Sequence, residues 1–334
     1  DVAYVLWTKY LKHNPKNPAW FDRDRFILSA GHGSMLLYSL LHLTGYDLSL
    51  DEIKNFRQMG SKTPGHPEYG MTPGIETTTG PLGQGLATGV GMAMAENHLG
   101  AKFNMGGHSI VDHYTYAIIS DGDLMEGVSH EAASLAGHLG LGKLIYLYDS
   151  NKISIEGSTD LAFTEDVSKR FDAYDWHVVE IDGHDHDQIS SAIEEAQNVT
   201  DKPSLVVCKT KIGFGSPNKE GKESSHGSPL GSDEIKLTKE AYGWDPDKSF
   251  YIPDEALEVF RNSVTEGAKA EATWKKKFDA YSAEFEAEAE QFSSRMNRKI
   301  PENLESALPE FPADEKGMAS RAASGKVINA IKDV

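Results

Sequence analysis

The chain has 334 residues, of which 39% are hydrophobic and 25% are charged, so it holds enough apolar material for a large folded core. Its formal net charge of -18 argues against a general nucleic-acid binder, because phosphate backbones are held by clustered Lys and Arg. The sequence contains no apolar run of about 18 residues and no secretory leader pattern, which predicts a cytoplasmic protein without membrane partners.

The first elements in chain order are helical. Apolar residues within residues 1–6 follow a pattern typical of a helix that is already under way, which predicts that an N-terminal segment is missing. A second helix is expected over residues 33–43, ending at Gly45. Ser49 and Glu52 predict a capping box that opens a third helix.

The next predicted helix covers residues 82–99 and is expected to stop at Gly100. Its glycines each cost roughly 1 kcal/mol of helix propensity relative to Ala. Close approach of the backbone to a ligand, or to a second helix, would offset that cost, and both explanations stay open. These glycines are Gly83, Gly85, Gly89 and Gly91.

Short apolar runs rich in β-branched and aromatic residues alternate with helix-like segments, a pattern that predicts a parallel α/β sheet. The runs lie at 114–120, 144–148, 177–181 and 204–209. The last run contains the single cysteine, Cys208, which we expect to be a buried thiol that forms no internal disulfide. Residues 253–299 alternate charged and spaced apolar positions, as long amphipathic helices do.

The clearest chemical signal is Ser120-Asp121-Gly122 at the end of one predicted strand, with Asn151 after the next. One β-α-β unit separates Asp121 from Asn151, so both side chains are expected at the carboxyl ends of parallel strands, where open α/β sheets bind ligands. A carboxylate oxygen, an amide oxygen and a nearby main-chain carbonyl suit Mg²⁺ beside a diphosphate. A plain Asp-Gly turn is the alternative explanation of the short motif.

The whole unit resembles the thiamine-diphosphate signature, a Gly-Asp-Gly closed by an Asn, although Ser120 replaces the first Gly. Further segments resemble transketolase, namely SAGHG from Ser29, GSKTPGHPE from Gly60, TTGPLGQG from Thr78 and SHGSPL from Ser225. The similarity to the thiamine-diphosphate-dependent transketolases covers essentially the whole chain. It implies a three-layer fold, with a mainly parallel sheet and helices on both faces. It also implies transfer of a two-carbon ketol unit from a ketose phosphate to an aldose phosphate.

The resemblance also implies the residues that hold metal and cofactor. Asp121, Asn151 and the main-chain carbonyl of Ile153 would bind Mg²⁺, with Ca²⁺ or Mn²⁺ as alternatives. The residues expected to contact thiamine diphosphate are His32, Gly80, Pro81, Leu82, Ser120, Asp121, Gly122, Asn151, Ile212 and His226.

His66 and His226 are the expected catalytic and substrate-binding side chains, because imidazole titrates near neutrality and can exchange protons with sugar hydroxyls. Arg321 lies in a segment similar to the one whose Arg grips the sugar phosphate, a task that suits a planar guanidinium. Glu126 corresponds to a family Glu that communicates across a dimer interface. Ordinary structural roles are the alternative for each side chain. The implied substrates are sugar phosphates such as xylulose 5-phosphate and ribose 5-phosphate, and the full-length protein is expected to be a homodimer.

The resemblance divides the chain into a diphosphate-binding domain over residues 1–299, a linker over 300–313 and the start of a pyrimidine-binding domain over 314–334. The Glu that activates the cofactor in this family is expected beyond residue 334, and a further His before residue 1. We therefore expect the isolated chain to be an inactive or incomplete fragment of a transketolase. The alternatives are a split enzyme that needs a partner chain, and a non-catalytic binding module of the same fold.

Overall fold

The computed structural model describes residues 1–313, 315–332 and 334. Residues 314 and 333 both belong to the predicted start of a pyrimidine-binding domain, and they lie outside the described residues. The chain divides into two compact units, Asp1–Lys277 and Phe278–Val334. The domain boundaries expected from the sequence stay a prediction.

A parallel sheet forms the centre of the first unit. Its strands are β1 (Arg25–Leu28), β2 (Thr115–Ser120), β3 (Leu144–Ser150), β6 (His177–Asp182) and β7 (Ser204–Lys209), and β4 (Ile153–Ser154) and β5 (Gly157–Ser158) form a separate antiparallel pair. The strand order is β1-β2-β3-β7-β6, and every neighbouring pair is parallel. The predicted parallel α/β sheet and its four predicted strands are confirmed, while β1 was not predicted.

Helices cover both faces of the sheet, as the three-layer prediction requires. The helices of the first unit are α1 (Val2–Val5), which continues as a π-helix (Leu6–Tyr10), α2 (Ser34–Thr44), α3 (Leu50–Lys54), α4 (Gln84–Phe103), α5 (Asp121–Met125), α6 (Gly127–His138), α7 (Val167–Ala173), α8 (His186–Asn198) and α9 (Ser232–Ala241). Successive strand residues point to opposite faces, so Leu28 and Leu147 pack in one core cluster with α2 and α8. Ile27 and Tyr146 pack in the other with α4 and α6.

Two details of the predicted helices change. Helix α4 passes through Gly100, so the predicted stop there is wrong. The helix ends instead where the Asn104 side chain accepts N–H groups from Ile110 and Val111, at 2.9 and 3.0 Å. Ser49 caps α3 by accepting the Glu52 N–H, but the Glu52 carboxylate accepts the Lys62 N–H at 2.7 Å, so only half of the predicted capping box forms.

Two further predictions for this unit, the end of α2 at Gly45 and the buried Cys208 thiol, are confirmed. Gly45 ends α2 in the left-handed conformation, with φ of 105°. Cys208 is a buried free thiol in β7. None of the helices within the described ranges is both long and apolar enough to cross a membrane.

The glycines of α4 and of the turn before it allow close packing against protein. A Cβ at Gly83 would lie 2.8 Å from Ser129 Oγ, and one at Gly85 would lie 2.6 Å from Ser29 Cα. A Cβ at Gly89 would overlap the hydroxyl of Tyr146, whereas one at Gly91 would meet no atom of the described residues within 4 Å. Of the two explanations that the sequence left open, packing therefore accounts for three of the four glycines.

The long helix α10 (Asp254–Glu284) runs from the first unit into the second, and α11 (Glu286–Met296) follows it. The predicted amphipathic helices are therefore confirmed. Within the second unit, the rings of Phe278 and Phe292 lie 5.5 Å apart. Helices α12 (Leu304–Ala307) and α13 (Ser320–Ile331) complete this unit, with α12 inside the segment predicted as a linker.

Candidate functional site

The carboxyl ends of β2 and β3 lie side by side, with Ser120 paired to Asp149, and this register brings Asp121 next to the turn after β3. The Asp121 carboxylate is buried and accepts a hydrogen bond from the Tyr148 hydroxyl. It also accepts the main-chain N–H of Lys152 at 3.2 Å. Burial raises the pKa of Asp121, and these two donors oppose that rise.

The Asn151 side chain is held in one orientation. Its Nδ2 donates to Asp149 Oδ2 at 3.0 Å, and Thr210 Oγ1 donates to the other oxygen of Asp149. The Asn151 Oδ1 accepts the Ile153 N–H at 2.9 Å, across a turn in which Lys152 has φ of 62°. Because a carboxylate only accepts, Asp149 fixes which end of the amide is nitrogen and which is oxygen.

The described residues contain no group of three or more His, Cys, Asp or Glu side chains that could hold a metal ion. A ligand set made of Asp121, Asn151 and the Ile153 carbonyl has a single member of those residue types. The predicted set therefore stays a prediction, and it rests on the contacts between these two strand ends.

Ser120 and Gly122 flank Asp121 in a tight turn. Ser120 caps α5, and both its main-chain N–H and its hydroxyl donate to Asp123 Oδ2, at 3.0 and 3.1 Å. The Ser120 N–H is therefore already bound within the protein. A Cβ at Gly122 would lie 3.0 Å from Leu82 Cδ1, so the glycine lets Leu82 come close to the turn.

The three predicted site histidines, His32, His66 and His226, lie together. The His32 and His226 rings stack with centroids 5.0 Å apart. A Cβ at Gly80 would lie 3.2 Å from His66 Cγ, which places His66 against the loop that carries Leu82. Desolvation lowers the pKa of His32, the His226 and His66 imidazoles lower it further, and Asp123 opposes them.

The loop of His32 and the loop of Gly80 touch through their backbones. A Cβ at Gly31 would lie 2.6 Å from Thr79 Oγ1 and 2.7 Å from the Gly80 nitrogen, so only glycine fits there. The Thr79 hydroxyl is buried, and none of the residues that the structure describes forms a hydrogen bond with it. The site therefore combines a carboxylate, an oriented amide, clustered imidazoles and an unpaired hydroxyl.

This arrangement can be compared with known proteins. Residues 1–301 match the family model described as "Transketolase, thiamine diphosphate binding domain". The chain belongs to the transketolase family.

Transketolases of known sequence are close relatives over half their length. That of Halalkalibacterium halodurans is 58% identical over 330 residues, which cover 98% of this chain and 49% of the relative. That of Geobacillus stearothermophilus is 57% identical, covering 99% of this chain and 50% of the relative. The chain therefore spans about half the length of the curated relatives that it matches.

Solved transketolases share the fold. The enzyme from Leishmania mexicana superimposes with a TM-score of 0.94 at 46% identity, covering 99% of this chain and 49% of that one. A complex of the Pichia stipitis enzyme with sedoheptulose 7-phosphate gives a TM-score of 0.94 at 48% identity, covering 98% and 49%. The three-layer thiamine-diphosphate-binding fold expected from the sequence is confirmed.

The remaining transketolase residues expected from the sequence are dispersed. Ile212 is half-buried in the loop that also carries His226, and its carbonyl accepts the Gly221 N–H at 2.8 Å. Glu126 is exposed at the start of α6, beside Gly83. Arg321 is exposed on α13 in the second unit. Their assigned roles stay predictions, as do those of the other predicted site residues.

The sequence reasoning assigned no role to Asp123, Asp149 and Tyr148, which contact or orient predicted ligands. A signal existed for Asp123, because Ser followed three residues later by Asp is a capping pattern. Asp149 and Tyr148 carried no comparable signal, since their roles depend on contacts across the turn after β3.

Proposed function

We propose that this chain binds the diphosphate end of thiamine diphosphate through a divalent cation held by Asp121, Asn151 and the main-chain carbonyl of Ile153. The observation that carries the proposal is the fixed Asn151 amide beside the buried Asp121 carboxylate. Hard oxygen ligands of this kind suit Mg²⁺, Ca²⁺ or Mn²⁺, and Mg²⁺ typically keeps further positions for phosphate oxygens and water.

The residues around this cation site fit the cofactor. Gly31 and Gly80 allow two loops to make backbone contact. The unpaired Thr79 hydroxyl is a buried polar group that can form a hydrogen bond with a ligand. Gly80, Pro81 and Leu82 then line the cofactor, and Ser120, Gly122, Ile212, His32 and His226 complete its contacts.

In the whole protein, we propose that this half-site serves ketol transfer between sugar phosphates such as xylulose 5-phosphate and ribose 5-phosphate. The chemistry that thiamine diphosphate supplies when bound is a stabilised carbanion able to attack a ketose carbonyl. His66 and His226 donate to and accept from the sugar hydroxyls, and Arg321 binds the sugar phosphate. Support comes from relatives solved with sedoheptulose 7-phosphate, xylulose 5-phosphate and fructose 6-phosphate.

The same proposal includes homodimeric assembly of the whole protein, with Glu126 near the interface, and a cytoplasmic location. It also includes the division of the chain into a diphosphate-binding domain, a linker and the start of a pyrimidine-binding domain. A turnover assay with xylulose 5-phosphate and ribose 5-phosphate on the whole protein tests the reaction.

Calorimetry with thiamine diphosphate, with and without Mg²⁺, tests the cation site on this chain. We expect binding only with Mg²⁺, and we expect Asp121→Asn to weaken it by at least roughly 100-fold. Asp201→Asn is the matched control, because Asp201 is an exposed carboxylate before β7, at the amino-terminal ends of the strands, whereas Asp121 lies at their carboxyl ends. Equal affinity with and without Mg²⁺ would show that the cation site is wrong.

A further inference from the structure

Asp123 is a fully buried carboxylate whose two oxygens both receive two hydrogen bonds. Oδ1 accepts from Ser29 Oγ and from the Gly83 main-chain N–H, each at 2.7 Å. Oδ2 accepts from the Ser120 N–H at 3.0 Å and from the Ser120 hydroxyl at 3.1 Å. One side chain therefore joins three segments that are far apart in the sequence.

Each of these segments leads directly into a part of the proposed cofactor site. Ser29 lies at the end of β1, before His32, and Ser120 lies at the end of β2, before Asp121. Gly83 follows the Gly80–Leu82 loop and opens α4 with φ of 77°.

The segments have little freedom to move apart or together. Ser29 Oγ also accepts the Leu86 N–H at 3.1 Å, which extends the network into α4. A Cβ at Gly85 would lie 2.6 Å from Ser29 Cα, so helix and strand end are already in backbone contact. The carboxylate of Asp123 links the end of β1 and the start of α4 to helix α5.

The chemistry of the contacts requires a carboxylate. A main-chain N–H can only donate, and Gly83 donates to one oxygen of Asp123 while Ser120 donates to the other. An Asn at this position would turn its NH₂ group against one of these two N–H groups, whichever way the amide is rotated. A buried donor facing a buried donor would push one segment away.

We propose that Asp123 is a positioning residue, which sets the spacing between the Gly80–Leu82 loop and the turn of Asp121 and thereby the fit of the cofactor. The proposal rests on the proposed function, because it concerns the same site. It differs from a purely structural role, which would affect folding but would leave affinity for the cofactor unchanged in the folded protein.

The experiment compares two ligands on folded variants of this chain. Inorganic pyrophosphate with Mg²⁺ needs only the cation and diphosphate contacts, whereas thiamine diphosphate with Mg²⁺ also needs the Gly80–Leu82 loop. For Asp123→Asn we expect the Kd of thiamine diphosphate to rise between about 10- and 100-fold, with a change of less than about 3-fold for pyrophosphate.

Asp24→Asn is the matched control. Asp24 is also a buried carboxylate that accepts two main-chain N–H groups, from Lys12 and Tyr114 at 2.8 Å each. It precedes β1, however, and so lies at the amino-terminal ends of the strands, away from the proposed site. It should lower the urea midpoint of unfolding and leave both dissociation constants unchanged.

The outcomes separate the two proposals. Failure of the unsubstituted chain to bind thiamine diphosphate with Mg²⁺ contradicts the proposed function itself. Binding by the unsubstituted chain with an unchanged Kd in Asp123→Asn, or equal weakening for both ligands, overturns the positioning role. If Asp123→Asn does not fold, Ser29→Ala decides. It removes one donor to Asp123 together with the acceptor of the Leu86 N–H, and we expect about 3-fold weaker thiamine diphosphate binding with unchanged pyrophosphate binding, while unchanged affinity for both refutes the role.

Discussion

Two glycines on α4, Gly89 and Gly91, give a sharp test of why this helix contains residues that disfavour helices. Both lie in the helix interior, two positions apart, and Gly89 faces β3 while Gly91 is exposed. If packing against the sheet explains Gly89, replacing it with Ala should be harmful. The same change at Gly91, where a Cβ would lie more than 4 Å from every atom in the described part of the chain, should be favourable.

The magnitudes follow from the contacts. Either Gly→Ala change gains about 1 kcal/mol of helix propensity. At Gly89 the new Cβ overlaps the hydroxyl of fully buried Tyr146, which donates to the Leu86 carbonyl, and it would lie 3.3 Å from two ring carbons. Overpacking costs about 1–3 kcal/mol and loss of a buried hydrogen bond costs a similar amount. Adding the two costs and subtracting the gain in helix propensity, we expect Gly89→Ala to destabilise the protein by about 3 kcal/mol and Gly91→Ala to stabilise it by about 1 kcal/mol.

Urea unfolding followed by circular dichroism measures both free energies, provided that the slopes of the transitions agree. A third protein, Gly89→Ala with Tyr146→Phe, removes the overlapping hydroxyl. Its loss of stability should be at least about 1 kcal/mol smaller than the sum of the two single changes. A Gly89→Ala variant that equals Gly91→Ala in stability would refute the packing explanation and return ligand contact as the reason for Gly89.

Three further predictions concern buried or charged groups. Burial lowers the pKa of His13 from 6.5 to about 4. Its contribution to stability is therefore present above pH 6.5 and is lost as the pH falls to about 4. In urea titrations, the stability advantage of the unsubstituted chain over His13→Gln should shrink by about 3 kcal/mol between pH 7 and pH 4. Glu234 accepts three hydrogen bonds from Ser216 and Asn218, which hold the loop that contains these two residues. Glu234→Gln should therefore speed tryptic cleavage within this loop, and equal cleavage rates in the variant and the unsubstituted chain would contradict the prediction. Asp149→Asn should raise the Mg²⁺ concentration needed for thiamine diphosphate binding by about 10-fold or more, measured by calorimetry.

Much of the fold was accessible from the sequence because buried parallel strands leave continuous apolar runs. The strand that was missed, β1 (Arg25–Leu28), has four residues and lies between Asp24 and Ser29, so its apolar run is too short to stand out. The end of α4 was misplaced because Gly100 only weakens a helix. The side chain of Asn104, which satisfies N–H groups beyond the helix, decides where it ends.

The candidate site was predictable to the extent that its residues form local motifs. Asp121 and Asn151 could be located because each follows a strand and one β-α-β unit separates them. The partners that orient them, Asp149 and Tyr148, could not, because a side chain that bonds another across a turn leaves no periodic pattern. The contact between Asp123 in α5 and Gly83, the residue before α4, joins distant sequence positions and depends on the tertiary fold alone.

The charge at the carboxyl ends of β2 and β3 is the reason that the proposed diphosphate site includes a cation. Asp121, Asp123 and Asp149 lie at or directly after these strand ends, and the chain as a whole carries a net charge of -18. An anionic ligand is repelled by such surroundings unless positive charge lies between them. Asp123 and Asp149 accept hydrogen bonds from main-chain N–H, hydroxyl and amide groups, and none of these donors carries a positive charge. A diphosphate bound beside these carboxylates, as proposed, would therefore be held through a cation between it and the protein. Metal dependence is therefore the observation on which the proposed function stands or falls.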